Sequence, residues 1–172
     1  MYALRMREDD RSRLWRHLLP ADDVREQAAF LFCSEMRGKS GTVFEISALE
    51  LLSPKDFATQ HEDYIELADE TRVRIIKCAH AANMSLAEVH SHPGPLPAAF
   101  SWSDRTGLQE TGPHLRWRLP GRAYLALVVA PSGFDALVWP DGSDAPQPLS
   151  RIESGSRRLI PTNASLKGWS HE

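Results

Sequence analysis

Two histidines two residues apart, His90 and His92, stand in the run Glu88-Val89-His90-Ser91-His92. The segment 86–90 reads as a short strand, and on a strand residues two apart point to the same face. The two imidazoles therefore stand side by side, near enough to share one cation. A proline-rich loop, Pro93-Gly94-Pro95-Leu96-Pro97, follows and cannot be regular structure. Beyond it lies Phe100-Ser101-Trp102-Ser103-Asp104. Asp104, twelve residues after His92 and at the start of a helix, is placed to supply a third ligand. Two neutral imidazoles and one carboxylate make a tripod on which zinc keeps its fourth position open for water. Such a site activates water near neutral pH and sets a Lewis acid beside it. The reactions that use this pair are amide or ester hydrolysis and hydrolytic deamination.

These residues need elements to hold them. Near the N-terminus Leu14 and Leu18, and Trp15 and Leu19, lie four apart. Asp9 and Asp10 are capping candidates and Pro20 a stop, which predicts a helix. The apolar run 28–33 predicts a buried strand, hairpinned through 37–41 to a second strand over 42–52. Residues 53–69 read as a connecting loop and 70–82 as a helix. A partly helical stretch over 104–119 is interrupted at Gly112-Pro113. The clearest hairpin joins 124–130 to 134–139 through Pro131-Ser132-Gly133. After Pro140 the composition turns to Asp, Gly, Ser and Pro, predicting a loosely ordered tail over 141–172 with one short element at most. Strands and helices alternate in a single mixed α/β (α+β) domain over 1–140.

Composition bounds the function. The chain has 172 residues, enough for a core without a disulfide or metal staple, and 42% hydrophobic content excludes wholesale disorder. Its 20 basic and 23 acidic side chains give a net charge of −3, which argues against nucleic acid as a partner. Cys33 and Cys78 read as small buried hydrophobes in a reducing compartment. The N-terminus lacks the apolar stretch of a signal peptide, and the longest apolar run, 123–130, is too short to span a bilayer. The expectation is a soluble cytoplasmic protein with no membrane partner.

The stretch HSHPGPLPAAFSWSD resembles the JAMM motif of the JAB/MPN metalloprotease superfamily: a distant Glu, then HxHP, then SxxD. The detailed match covers 25–33 and 86–104, and the order of elements agrees over about 10–140. The resemblance implies a single JAB/MPN-like domain with a central mixed sheet flanked by helices, cytidine-deaminase-like in fold. It implies Zn2+ held by His90, His92 and Asp104. Ser101, opening the SxxD segment, would donate a hydrogen bond to the developing oxyanion. The distant Glu would be the general base, shuttling a proton from water to the leaving amine.

The family places that Glu before the first core strand, in a pattern like E-x-x-G-x-L. Glu26 fits it within Arg25-Glu26-Gln27-Ala28-Ala29-Phe30-Leu31, with Ala29 where the family usually has Gly. Glu35 and Glu45 remain alternatives. Glu88 shares the strand face of the histidines, and the resemblance gives it no ligand role. It reads as a partner to an imidazole or as structural. Ser91 points the other way. Trp102 would line a channel or pack beside the site. The remaining histidines, His17, His61, His80, His114 and His171, have no partner spacing, and Trp117 among Arg116, Arg118 and Arg122 reads as a solvated helix face or as a basic, aromatic patch for an acidic protein surface or a peptide carboxylate.

The resemblance implies a bacterial deubiquitinase-like isopeptidase or peptidase that cuts after the C-terminal tail of a ubiquitin-like or sulfur-carrier-like protein. Its partners would be that protein or its conjugates, together with activating and conjugating enzymes of the same pathway. The strand pair near 42–52 would offer a docking edge for the extended tail. No further Cys or His cluster follows Asp104, in keeping with a minimal prokaryotic-type enzyme. The alternatives are a non-catalytic MPN-like scaffold and a zinc amidohydrolase of a small molecule.

Overall fold

Strand β1 (Tyr2–Met6) leads directly into helix α1 (Glu8–Leu18), which presents Leu14 and Leu18 to the core as their four-residue spacing requires. The computed structural model describes residues 1–169. Strands β2 (Ala28–Gly38) and β3 (Gly41–Leu51) form a hairpin closed at Gly38 opposite Gly41. A 3-10 turn (Pro54–Asp56) precedes a small hairpin of β4 (Phe57–Gln60) and β5 (Ile65–Leu67). Helix α2 (Asp69–Ala82), strand β6 (Ser85–Ser91), helix α3 (Trp102–Arg118) and the hairpin β7 (Tyr124–Ala130) with β8 (Gly133–Trp139) follow. Three short strands close the order: β9 (Gln147–Pro148), β10 (Arg151–Ser154) and β11 (Arg157–Leu159).

Nine strands make one mixed sheet in the order β11-β10-β1-β3-β2-β6-β7-β8-β9. The β1–β10, β1–β3 and β6–β7 pairs are parallel and the others antiparallel. Side chains alternate between two cores. Ala29, Leu31 and Cys33 of β2 join Leu14 and Leu18 of α1 on one face. Ala28, Phe30 and Phe32 join Ile75 of α2 and Leu108 and Leu115 of α3 on the other. Strands covered on both faces show continuous apolar runs rather than alternation, which is why 28–33 and 124–130 read as buried strands.

Several expectations need correction. Strand β1 was not anticipated, because the arginines around it mask a five-residue apolar pattern. The segment 53–69 holds the β4–β5 hairpin rather than an unbroken loop. Helix α3 runs through Pro113. A proline clashes with the Cβ of the residue before it, and Gly112 has none. The loosely ordered tail holds three strands, and β10 pairs in parallel with β1, from Ala3 opposite Arg151 to Met6 opposite Ser154. Residues 170–172, with His171, lie outside the described residues.

The docking edge near 42–52 is half covered, since Tyr2–Arg5 pairs with Thr42–Glu45 while β2 takes the other side. Cys33 is buried as expected, but Cys78 is exposed. Among the described residues no helix is long and apolar enough to cross a membrane.

Candidate metal centre

The site forms where β2 and β6 pair. Their antiparallel register sets Ala28 opposite His90, and two further residues in each direction, past Gln27 and Ser91, carry Glu26 toward His92. Ser91 holds this end closed: its Oγ accepts from the Gln27 amide at 2.9 Å, and its own amide donates to the Gln27 carbonyl at 2.9 Å. Glu26 is braced from the β4–β5 hairpin, donating its amide to His61 O while its carbonyl accepts from Gln60 Nε2, both at 2.8 Å. His92 donates its amide to Val129 O of β7 at 2.8 Å. The proline loop then returns the chain to α3. Ser101 caps that helix: its Oγ accepts from the Asp104 amide at 3.1 Å, and Asp104 Oδ2 accepts from the Ser101 amide at 2.6 Å. Such a reciprocal box is worth about 1 kcal/mol to a helix end, and here it also fixes the Asp104 carboxylate.

Three ligand atoms converge. His90 Nε2 and His92 Nε2 are 3.1 Å apart, and Asp104 Oδ2 lies 3.4 Å from the first and 3.2 Å from the second. Lone pairs this close repel unless a proton or a cation lies among them. A regular tetrahedron with edges near these lengths has its centre about 2.0 Å from each corner, the bond length of zinc to nitrogen or carboxylate oxygen. The donor set therefore fits a divalent metal, and His90, His92 and Asp104 could hold one.

The electrostatics follow from burial and proximity. Burial alone would raise the Asp104 carboxyl, but the hydrogen bond and charge of His90, with hydrogen bonds from His92 and Ser101, hold it well below the usual carboxylate range. Burial alone would lower His90, and Asp104 reverses this and raises it. Glu26 is 3% exposed, and burial pushes its carboxyl up to about 7 against the pull of both imidazoles. Its Oε1 lies 3.5 Å from His92 Nε2.

The competing glutamates lie elsewhere. Glu35 accepts from Ser85 Oγ, the Ala123 amide and Arg37, and Glu45 is exposed on β3. Glu88 accepts from the Tyr124 hydroxyl rather than from an imidazole, and burial raises its carboxyl.

A cavity of about 340 Å³ opens beside the ligands, walled by His90, Asp104, Glu88, Arg72 and Tyr64, a size that suits a small molecule or a stretch of peptide. Trp102 lines it and is 82% exposed, so it belongs to the cavity wall and not to a core. Trp117 is exposed with the Arg118 guanidinium 4.8 Å over its ring. Two features escaped the sequence reading. Phe100 packs its ring 5.8 Å from that of His90, and Asp135 anchors to the sheet a distant segment whose Thr162 and Ser165 bond the metal loop. Only the aromatic beside SxxD offered a sequence signal for the first.

Residues 8–139 match the family described as prokaryotic homologs of the JAB domain. The chain belongs to that family. The match spans all the residues of the metal cluster and Glu26, and the JAB fold agrees with the mixed sheet and its three helices. No curated protein matches the chain. JAB domains include metalloproteases, and here the HxHP and SxxD segments that carried the resemblance lie within one metal-sized cluster.

Proposed function

We propose that this JAB-domain chain is a zinc-dependent peptidase or isopeptidase that cleaves after the C-terminal tail of a ubiquitin-like or sulfur-carrier-like protein. The observation that carries the reading is the convergence of His90, His92 and Asp104 with the buried Glu26 carboxyl set against His92. Zinc at this tripod would supply activated water at neutral pH and a Lewis acid for the scissile carbonyl. Glu26 takes the proton from the attacking water. Its carboxylate is placed for that role, with Oε1 3.5 Å from His92 Nε2 and no hydrogen-bond donor to it among the described residues. It then delivers that proton to the leaving amine.

Ser101 Oγ accepts from the Asp104 amide, so its own hydrogen is left to donate to the oxyanion. The adjacent cavity holds the extended tail next to the scissile bond. The partners in this reading are the ubiquitin-like protein or its conjugates, and the activating and conjugating enzymes of the same cytoplasmic pathway.

The test incubates zinc-loaded protein with ubiquitin-like proteins fused through their tails to a reporter, beside a panel of small amides. Cleavage of a fusion at the tail, lost in Glu26→Gln with zinc retained, supports the reading. Cleavage of small amides alone would replace it with a small-molecule amidohydrolase. Zinc binding with no cleavage of either class would replace it with a scaffold.

A further inference from the structure

The segment 162–165 lies beyond the region that matches the JAB family, yet it is hydrogen-bonded to both the sheet and the metal loop. On the sheet side, the Thr162 amide donates to Phe134 O at 2.9 Å. Asp135 of β8 is 1% exposed, and its carboxylate accepts from the Asn163 amide at 3.1 Å and the Ser165 amide at 2.9 Å. It accepts from the Ala136 amide as well, at 2.9 Å. Asn163 takes the left-handed conformation (φ 54°), one that asparagine tolerates, so that a single carboxylate can serve the amides on either side of the turn.

On the loop side, Ser165 Oγ accepts from the Phe100 amide at 2.8 Å, and Thr162 Oγ1 donates to Ala98 O at 2.7 Å. Ala98, Phe100 and Ser165 are all buried.

Between β6 and α3, residues 92–101 form neither helix nor strand. Their shape rests on outside contacts, since the entropy of a free loop of this length would smear the position of whatever it presents. What it presents is the α3 N-terminus with Asp104, while the Phe100 ring packs on His90. The 162–165 strap thus grips the loop at Ala98 and at Phe100, which precedes Ser101 and packs its ring on His90.

We infer that this strap is a positioning element of the metal centre. Thr162 and Ser165, held to the sheet by the Phe134 carbonyl and the Asp135 carboxylate, set the loop so that Asp104 and His90 converge with His92. The inference rests on reading those three residues as metal ligands. Outer partners that orient a ligand typically affect metal affinity 10–100-fold, and the strap acts on one ligand through the helix cap and on another through Phe100.

The experiment measures Zn2+ affinity by chelator competition on the full chain, together with thermal melting of the metal-free protein. The variants are Thr162→Val, Ser165→Ala, the double variant, Thr162→Ser and Asp104→Ala. The double variant is expected to bind Zn2+ about 10-fold more weakly or worse while still melting cooperatively, and Thr162→Ser, which keeps the hydroxyl, to stay close to wild type. Wild-type affinity in the double variant, whatever its melting temperature, would overturn the inference and leave the strap a purely structural tie. Should the double variant fail to fold, the two single variants decide by the same measure. Asp104→Ala separates the two levels: if it also binds as wild type does, the metal reading itself fails and the strap inference with it.

Discussion

Strand β2 has a glutamate beyond its start and another near its end, and the fold treats them in opposite ways. Glu35 is saturated. The Ser85 hydroxyl, the Ala123 amide and the Arg37 guanidinium all donate to it, and although burial alone would raise its carboxyl these bonds hold it below the ordinary 4.5. Glu26 is buried at the other end with an imidazole 3.5 Å away and, among the described residues, no hydrogen-bond donor on its carboxylate, and it rises to about 7. A satisfied carboxylate ties strands together. A buried one left short of donors can change its proton near neutral pH, and such groups concentrate where chemistry is done.

The comparison breaks most sharply at the metal. His92→Ala should reduce bound zinc from about one per chain to little, measured by elemental analysis, because a tripod deprived of one imidazole loses its closed face. Equal zinc in both proteins would sink the metal reading. Next in size, Glu26→Gln should lower cleavage by about 10²–10⁴-fold at unchanged zinc content, the range for losing a general base. The matched change at the other end, Glu35→Gln, should leave zinc and cleavage alone and cost about 1–3 kcal/mol in urea unfolding, since its buried donors lose a charged acceptor. If the two substitutions affected the same property, the contrast between the ends would be gone.

The smallest effect is the pH dependence of stability in metal-free protein, and its sign differs between the ends. The Glu26 pKa is raised on folding, so the stability linked to it is full below about pH 4.5 and is lost as pH rises to about 7. The Glu35 pKa is depressed, so its stability is present above 4.5 and is lost as pH falls through the folded value. Unfolding titrations of each Gln variant against wild type should therefore flatten opposite limbs of the curve. Identical profiles for the two variants would contradict the assignment of opposite shifts.

Much of the scaffold was legible because it depends on neighbours in sequence. Helix α1 follows from the spacing of Leu14 and Leu18, and the β7–β8 hairpin from two apolar runs around a Pro-Ser-Gly turn. The elements that escaped depend on distant partners. Strands β1 and β10 are five and four residues long and gain their stability from pairing across about 150 positions of chain. Helix α3 survives Pro113 because Gly112 relieves the clash and the capping box and buried Leu108 and Leu115 hold the rest. The β4–β5 hairpin was hidden in a polar stretch, and it braces Glu26 through Gln60 and His61.

By itself the sequence determined that His90 and His92 share a face, since period two is a property of any strand, and that the proline loop delivers Asp104 to the start of a helix. The resemblance pointed to Glu26 as the acidic partner, with Glu35 and Glu45 as alternatives. Which of the three faces the imidazoles was decided by the β2–β6 register, and the grip on the metal loop was decided by Asp135, Thr162 and Ser165. Register and long-range hydrogen bonds join residues tens of positions apart, so no local pattern encodes them, and they exist once the sheet has folded.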